Sequence, residues 1–255
     1  MYCSIYVISE SDDNPRLKKI KSQFNRYYSM FNIIKAVMGG KLSAAEYYKY
    51  VCANFNYTQR ILSPAEVGCA LSHLSAYDAI IKQQVPAIVF EDDIIGDDAA
   101  LAQANMLAEQ LSPNDIVLLG GLNGLVEKKY IKFLSHESAL VTDTGLLAKK
   151  VDPLSYPYLG RNCCTLLGVG AAQIIREKQH ACLHVADAWG YFSEQTDLNF
   201  YYIELIDHPI IDEHLDSYIE QERKSIKYIP SYQLALRNMV RLASKKVNQF
   251  RINRM

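Results

Sequence analysis

Several features are missing from this 255-residue sequence, and each absence removes a class of protein. No stretch approaches the roughly 20 consecutive apolar residues that a membrane-crossing helix needs. No basic segment leads into an apolar run at Met1-Tyr2-Cys3-Ser4-Ile5, so no secretion signal is read there and a cytoplasmic location is expected. The six cysteines include no C-x-x-C pair, which favours buried free thiols over disulfides or a zinc site. There is no G-x-x-x-x-G-K-[ST] loop to cradle phosphates, which counts against a nucleotidyl- or phosphotransferase of that design. Tryptophan occurs once against eighteen tyrosines, a set suited to sugar- or partner-facing surfaces and equally to half-buried packing.

What is present describes a soluble globular chain. Hydrophobic residues make up 49% and charged residues 22%, enough for a core in one large domain. The net charge of -1 conceals an asymmetry: Arg223 to Met255 carries nine Lys/Arg and no Asp/Glu, leaving 18 basic against 28 acidic groups elsewhere. An acidic body argues against a nucleic-acid binder, whose basic surface belongs to its fold. Division into a catalytic domain, 1–222, and a basic tail, 223–255, is therefore expected. Within the tail Pro230 can begin a helix with Leu236, Val240, Ala243 and Val247 on one face and Arg237, Arg241 and Lys245 on another. Such a helix suits an anionic membrane surface, here the inner face of the cytoplasmic membrane. It suits equally a helix packed on the domain with its charges in water.

Periodicity gives the order of elements. Tyr2 to Ser9 reads as a buried strand, Arg16 to Tyr28 as a helix, and Phe31 to Val37 as a second strand stopped by Gly39-Gly40, so the chain opens β-α-β. Tyr47 to Ile61 reads as a helix or ordered loop. Ser63-Pro64-Ala65-Glu66 supplies an N-cap serine, Pro at N1 and a capping-box glutamate for a helix running to Ile81. Val85 to Phe90 is a wholly apolar, hence central, strand; 99–111 a helix; 115–119 a strand; 123–158 irregular; 163–167 a strand; 170–179 a helix; and 187–192 a short segment after a turn. The expected fold class is α/β, a mostly parallel sheet flanked by helices.

The central strand runs directly into Glu91-Asp92-Asp93. Adjacent carboxylates repel and raise one another's pKa unless a cation neutralises them, and hard oxygen donors select Mg²⁺ or Mn²⁺. The carboxyl edge of such a sheet is where α/β proteins bind ligands. A solvated acidic turn is the competing reading.

Leu62-Ser63-Pro64-Ala65-Glu66-Val67-Gly68-Cys69-Ala70-Leu71-Ser72-His73-Leu74, followed by Ala87-Ile88-Val89-Phe90-Glu91-Asp92-Asp93, resembles glycosyltransferase family 25. This is the bacterial lipooligosaccharide β-galactosyltransferase family, which also holds the collagen galactosyltransferases. Val7-Ile8-Ser9 with Arg16, Gly160-Arg161-Asn162-Cys163-Cys164, Gly170-Ala171 and Asp187 are similar to further elements of it. The resemblance implies a GT-A-like nucleotide-sugar-binding domain, a UDP-sugar donor, a divalent metal, inversion, and a lipooligosaccharide or LPS acceptor. It implies Asp93 and Glu91 as metal ligands, and donor contacts from Ile8, Arg16, Ala36, Ser72, His73 and Asp92. It implies Asp187 as general base, with Glu91 also placed among the catalytic groups; Glu194 and Asp197 are reserve bases. Asp187 reads equally as a helix N-cap, His73 as a core histidine, and Trp189 as a sugar platform or a core residue. Asn162 stands where the family commonly has histidine, Ala186 where it has proline, and Lys35-Ala36-Val37-Met38-Gly39 where it has an acidic segment. The rivals are a metal-dependent nucleotidyltransferase and a non-catalytic carbohydrate- or membrane-binding module.

Overall fold

The computed structural model describes residues 3–135 and 139–209. Among them, one sheet contains β1 (Ser4–Ser9), β2 (Phe31–Lys35), β3 (Ala87–Glu91), β4 (Asp115–Gly120), β5 (Leu140–Val141), β6 (Leu147–Lys150), β7 (Cys164–Leu167) and β8 (Asn199–Ile206). The strand order is β2-β1-β3-β7-β4-β8-β6-β5. Helices α1 (Pro15–Gln23), α2 (Ala44–Thr58), α3 (Pro64–Gln83), α4 (Asp98–Leu107), α5 (Val169–Ala181) and α6 (Trp189–Phe192) cover the sheet.

Two-residue alternation sorts the central strands onto two apolar faces. Tyr6, Ile8, Val89, Ile116 and Leu118 point one way, onto Val67, Ala70, Leu74 and Tyr77 of α3, Ile175 of α5 and Trp189 of α6. Ile5, Val7, Ile88, Phe90 and Val117 point the other way, onto Leu17 and Ile20 of α1 and Leu101 and Ala104 of α4. The result is three layers, α/β/α, as expected for strands buried on both faces.

Strands β1, β2, β3, β4 and β8 share one direction, while β7 runs antiparallel between β3 and β4. The reversal brings the start of β7 to the edge where β1, β3 and β4 end. Strand β8 occupies a stretch for which the sequence supplied no expectation, although Phe200-Tyr201-Tyr202-Ile203 is rich in β-formers. It pairs with β4 on one side and β6 on the other. Part of 123–158 is thus regular: β5 and β6 form an antiparallel pair at the sheet edge. The basic tail, 223–255, and the 222/223 boundary lie outside the described residues.

Helix α3 begins as its sequence dictates. Ser63 Oγ accepts from the Glu66 N–H at 3.2 Å, and a Glu66 carboxylate oxygen accepts from the Ser63 N–H at 2.8 Å. The same reciprocal box, Ser43 with Glu46, starts α2. Helix α1 stops at Gln23 rather than reaching Tyr28. Phe24 leaves helical geometry there, and its ring packs 5.7 Å from Phe90 and 5.8 Å from Phe31.

After β2 the chain runs against the first turns of α3, and two glycines permit that approach. A Cβ on Gly39 would stand 1.6 Å from the Pro64 carbonyl oxygen, and one on Gly68 would stand 2.4 Å from that of Val37. Gly39→Ala therefore forces backbone movement, and an expected loss of about 2–3 kcal/mol would show in urea unfolding.

Beneath α2, His184 stacks on Tyr191 with ring centroids 3.7 Å apart. Among the described residues its Nε2 is buried without a hydrogen-bond partner. Burial, with Arg60 and Lys178 nearby, pushes its pKa down to about 4. The unfolded chain therefore takes up a proton below the ordinary value while the folded protein does not. His184 stabilises the fold fully above about pH 6.5, and this contribution falls toward pH 4 by at most about 1.4 kcal/mol per pH unit. Thermal unfolding at pH 7.5 and pH 5 should show the loss, and His184→Phe should reduce it.

Candidate metal and donor site

The carboxyl ends of β1 and β3, the start of β7 and the segment after β8 converge at one sheet edge. Glu91 is the last residue of β3, and Asp92 and Asp93 follow in the turn. Backbone bonds between Ile95 and Asp207, at 2.9 and 2.7 Å, tie this turn to the chain leaving β8. That bridge brings His208 to the acidic cluster.

The three carboxylates have different surroundings. Asp92 accepts from Ser9 Oγ at 2.8 Å, Asn14 Nδ2 at 2.8 Å and Arg16 Nη1 at 2.9 Å. Its acceptor positions are largely spent, so it fixes the end of β1 and the first turn of α1. It also aims Arg16, whose side chain is 61% exposed and whose pKa is raised chiefly by this bond.

Glu91 accepts from beneath. His73 Nε2 lies 3.2 Å from a Glu91 oxygen, and Cys69 Sγ lies 3.7 Å from the same atom. The imidazole's Nδ1 faces the Asn162 amide nitrogen at 3.3 Å. That amide's orientation is set by Thr165 Oγ1 donating to its oxygen and by its nitrogen donating to the Ala186 carbonyl. A protonated Nδ1 would meet another donor, so Nε2 carries the proton and gives it to Glu91. Burial favours the neutral Glu91 acid, but the His73 hydrogen bond, with the His73 and His208 rings nearby, outweighs it and holds the pKa below its usual value.

Asp93 is the least satisfied. Its Oδ1 is buried without a hydrogen bond among the described residues. Its Oδ2 stands 3.6 Å from His208 Nε2 and 3.9 Å from Arg16 Nη1. Burial, then the Glu91 charge, raises its pKa. His208 Nδ1 lies 2.8 Å from the Pro209 carbonyl oxygen, which can only accept. In the neutral ring Nε2 is therefore a bare lone pair facing a carboxylate, and a cation between them removes that conflict.

Ligand atoms of Glu91, Asp93 and His208 all lie within 4.8 Å of one another. With the orphaned Asp93 oxygen, this set fits a divalent ion. The neighbouring trio Cys69, His73 and Glu91 is as compact, but its imidazole offers a proton rather than a lone pair.

The remaining expected residues are distributed as follows. Asp187 is half-buried and accepts the Arg161 backbone N–H at 3.0 Å. Its side chain does not cap α6, whose N-cap is Ala188. The preceding Ala186 carbonyl accepts from the Asn162 amide that faces His73, which places Asp187 next to the residues supporting Glu91. Ser72 is buried; its Oγ accepts the Val37 N–H at 2.8 Å and donates to the Gly68 carbonyl, holding α3 to the chain after β2. Ile8 is buried, and Ala36 is half-buried with its N–H on the Ser9 carbonyl. His73 and Trp189 are core residues, with 1% and 0% exposure. The Trp189 indole N–H donates to the Arg161 carbonyl, and its fully buried ring offers no face to a sugar. Glu194 pairs with Tyr57 and Asp197 with Asn114, both away from the cluster.

Residues 3–155 match the description "Glycosyltransferase family 25 (LPS biosynthesis protein)". The chain belongs to glycosyltransferase family 25. This family 25 chain matches no curated protein. Among solved structures it is similar to the crystal structure of mannose-1-phosphate geranyltransferase from Thermus thermophilus. The identity is 14% and the TM-score 0.43, over 82% of this chain and 75% of that chain, a likeness too slight to bear on function.

Two residues of the site have no counterpart in the expectations, and one departure acquires a role. His208 was signalled only by Asp207-His208 closing a β-rich run, and Cys69 only by its i, i+4 spacing from His73. Asn162, the departure from a histidine, orients His73.

Proposed function

We propose that this family 25 chain transfers a hexose, galactose before other sugars, from a UDP donor to a lipooligosaccharide or LPS-type acceptor, with inversion at the anomeric carbon. Glu91, Asp93 and His208 hold a divalent cation, and the buried Asp93 Oδ1 without a partner among the described residues, with His208 Nε2 3.6 Å from the same carboxylate's Oδ2, is the observation that carries this reading. The mixed oxygen and nitrogen donors suit Mn²⁺ at least as well as Mg²⁺. Bound there, the cation supplies charge neutralisation to the departing diphosphate. Arg16, exposed and steered by Asp92, adds a second positive charge on the same side. His73, held by Asn162, keeps Glu91 ionised and oriented.

Asp187 acts as general base. One oxygen is anchored on the Arg161 N–H, and the other makes no further hydrogen bond among the described residues, leaving it to accept the proton of the attacking hydroxyl. No helix among the described residues is long and apolar enough to cross a membrane. Contact with a lipid-borne acceptor at the inner face of the cytoplasmic membrane is assigned to the basic tail. Calorimetry with UDP-galactose, UDP-glucose and UDP-N-acetylglucosamine, each with Mn²⁺ and with chelator, tests the proposal. Mn²⁺-dependent binding of one donor is expected; equal binding in chelator would refute the metal role.

A further inference from the structure

A cavity of about 580 Å³ opens at the sheet edge opposite the carboxylates. The starts of β4 and β8 lie beside it, whereas the acidic cluster sits beyond the ends of β1 and β3. Along the six residues of β4 the two edges are separated by roughly 20 Å. Nothing in the transfer reaction proposed above uses this cavity.

Its chemistry is selective. The lining contains no Lys or Arg, and Asp197 stands in it with Asp115 bonded directly behind Asn199. A phosphate, a nucleotide or a carboxylated ligand would meet a negative field with no counter-charge. Seven of its ten lining residues carry amide, carboxylate or hydroxyl groups, which disfavours an acyl chain. These polar groups are braced and only partly used. Asn114 Nδ2 donates to Asp197 Oδ2 at 2.6 Å, and Asn199 Nδ2 donates to Asp115 at 3.1 Å. Thr196 Oγ1 donates to the Phe192 carbonyl at 3.0 Å. Each bond fixes a side chain while leaving other positions open among the described residues: the second Asp197 oxygen, the Asn199 carbonyl and its second N–H, and the Thr196 lone pairs. Tyr156 and Pro153 add apolar surface beside them. Fixed planar groups that both donate and accept, next to apolar surface, match the hydroxyls and C–H faces of an uncharged sugar.

We infer that this cavity is a second, non-catalytic binding site for an uncharged saccharide. A glycan held there keeps the enzyme on its acceptor chain between transfers by raising the local concentration of acceptor ends. The site stands apart from the metal reading, because its residues and the Glu91–Asp93–His208 set share no member.

The test uses the full chain and ligand-observed saturation-transfer NMR, with maltose and lactose as neutral probes and glucose 6-phosphate as the charged comparison. At least one neutral disaccharide should bind at millimolar concentration, and glucose 6-phosphate should not. Binding should persist in Asp93→Asn, which separates this site from the transfer centre. It should weaken at least about fivefold in Asp197→Ala, as expected when one charged hydrogen-bond acceptor is lost. Asp197 is exposed, so that variant is expected to fold, and an unchanged melting temperature would verify it. Asp197→Asn, which keeps one acceptor oxygen, should recover part of the affinity. The inference is overturned if neither disaccharide binds, if glucose 6-phosphate binds as well as they do, if Asp93→Asn abolishes binding, or if Asp197→Ala leaves it unchanged.

Discussion

Asp93→Asn is expected to reduce metal-dependent transfer by at least about 100-fold and to abolish Mn²⁺-dependent donor binding. The substitution keeps the side chain's shape and removes the charge that one cation ligand must carry. It places amide hydrogens or a neutral oxygen where a buried carboxylate oxygen now has no partner. The same geometry predicts an opposite effect on the apo fold. Asp93 is buried beside Glu91, and its raised pKa records that ionising it there is unfavourable. Removing the charge relieves that repulsion, so in chelator the variant's melting temperature should equal or exceed that of the wild type. In Mn²⁺ the order should invert. A cation at about 100 times its dissociation constant stabilises the wild type by roughly 2.7 kcal/mol and leaves the variant unaffected. Differential scanning calorimetry with and without metal reads both effects. A variant with lower stability in chelator and an unchanged response to Mn²⁺ would contradict the assignment.

Asp187→Asn should lower kcat by about 10²–10⁴-fold while leaving donor and metal affinity near wild type. The asparagine can still accept the Arg161 N–H through its oxygen, so the local backbone is preserved. What disappears is the ability to hold the proton leaving the acceptor hydroxyl. Separating kcat from donor KM decides the matter: a rise in donor KM with unchanged kcat would make Asp187 a binding residue. Because Asp187 also acts electrostatically on Cys69 beside Glu91, Mn²⁺ affinity should be measured in the same variant.

The local signals were strong where the physics is local. The Ser63–Glu66 box, with Pro64 at N1, marks the start of α3 within the sequence itself. Ser43-Ala44-Ala45-Glu46 carries the same signature for α2, yet the tyrosines after it blur the helical pattern into a helix-or-loop reading. Phe90-Glu91-Asp92-Asp93 announces a ligand site because an apolar central strand ending in charge needs compensation. It does not divide the labour among the three carboxylates. Asp92 is consumed by Ser9, Asn14 and Arg16, residues about 80 positions away, and that pairing exists only once β1 lies beside β3.

The α/β class, the start of α3, the central strand and the acidic cluster at its end are all legible along the sequence. Each of these rests on residues within a few positions of one another, through alternation, capping or adjacent charge. The antiparallel course of β7 and the place of β8 next to β4 come from the three-dimensional fold, which thereby brings His208 beside Glu91 and Asp93. That fold also makes Ser72, His73 and Trp189 buried supports. Those outcomes depend on which distant strands become neighbours, and that choice is made by the packing of two apolar faces rather than by any contiguous stretch of chain.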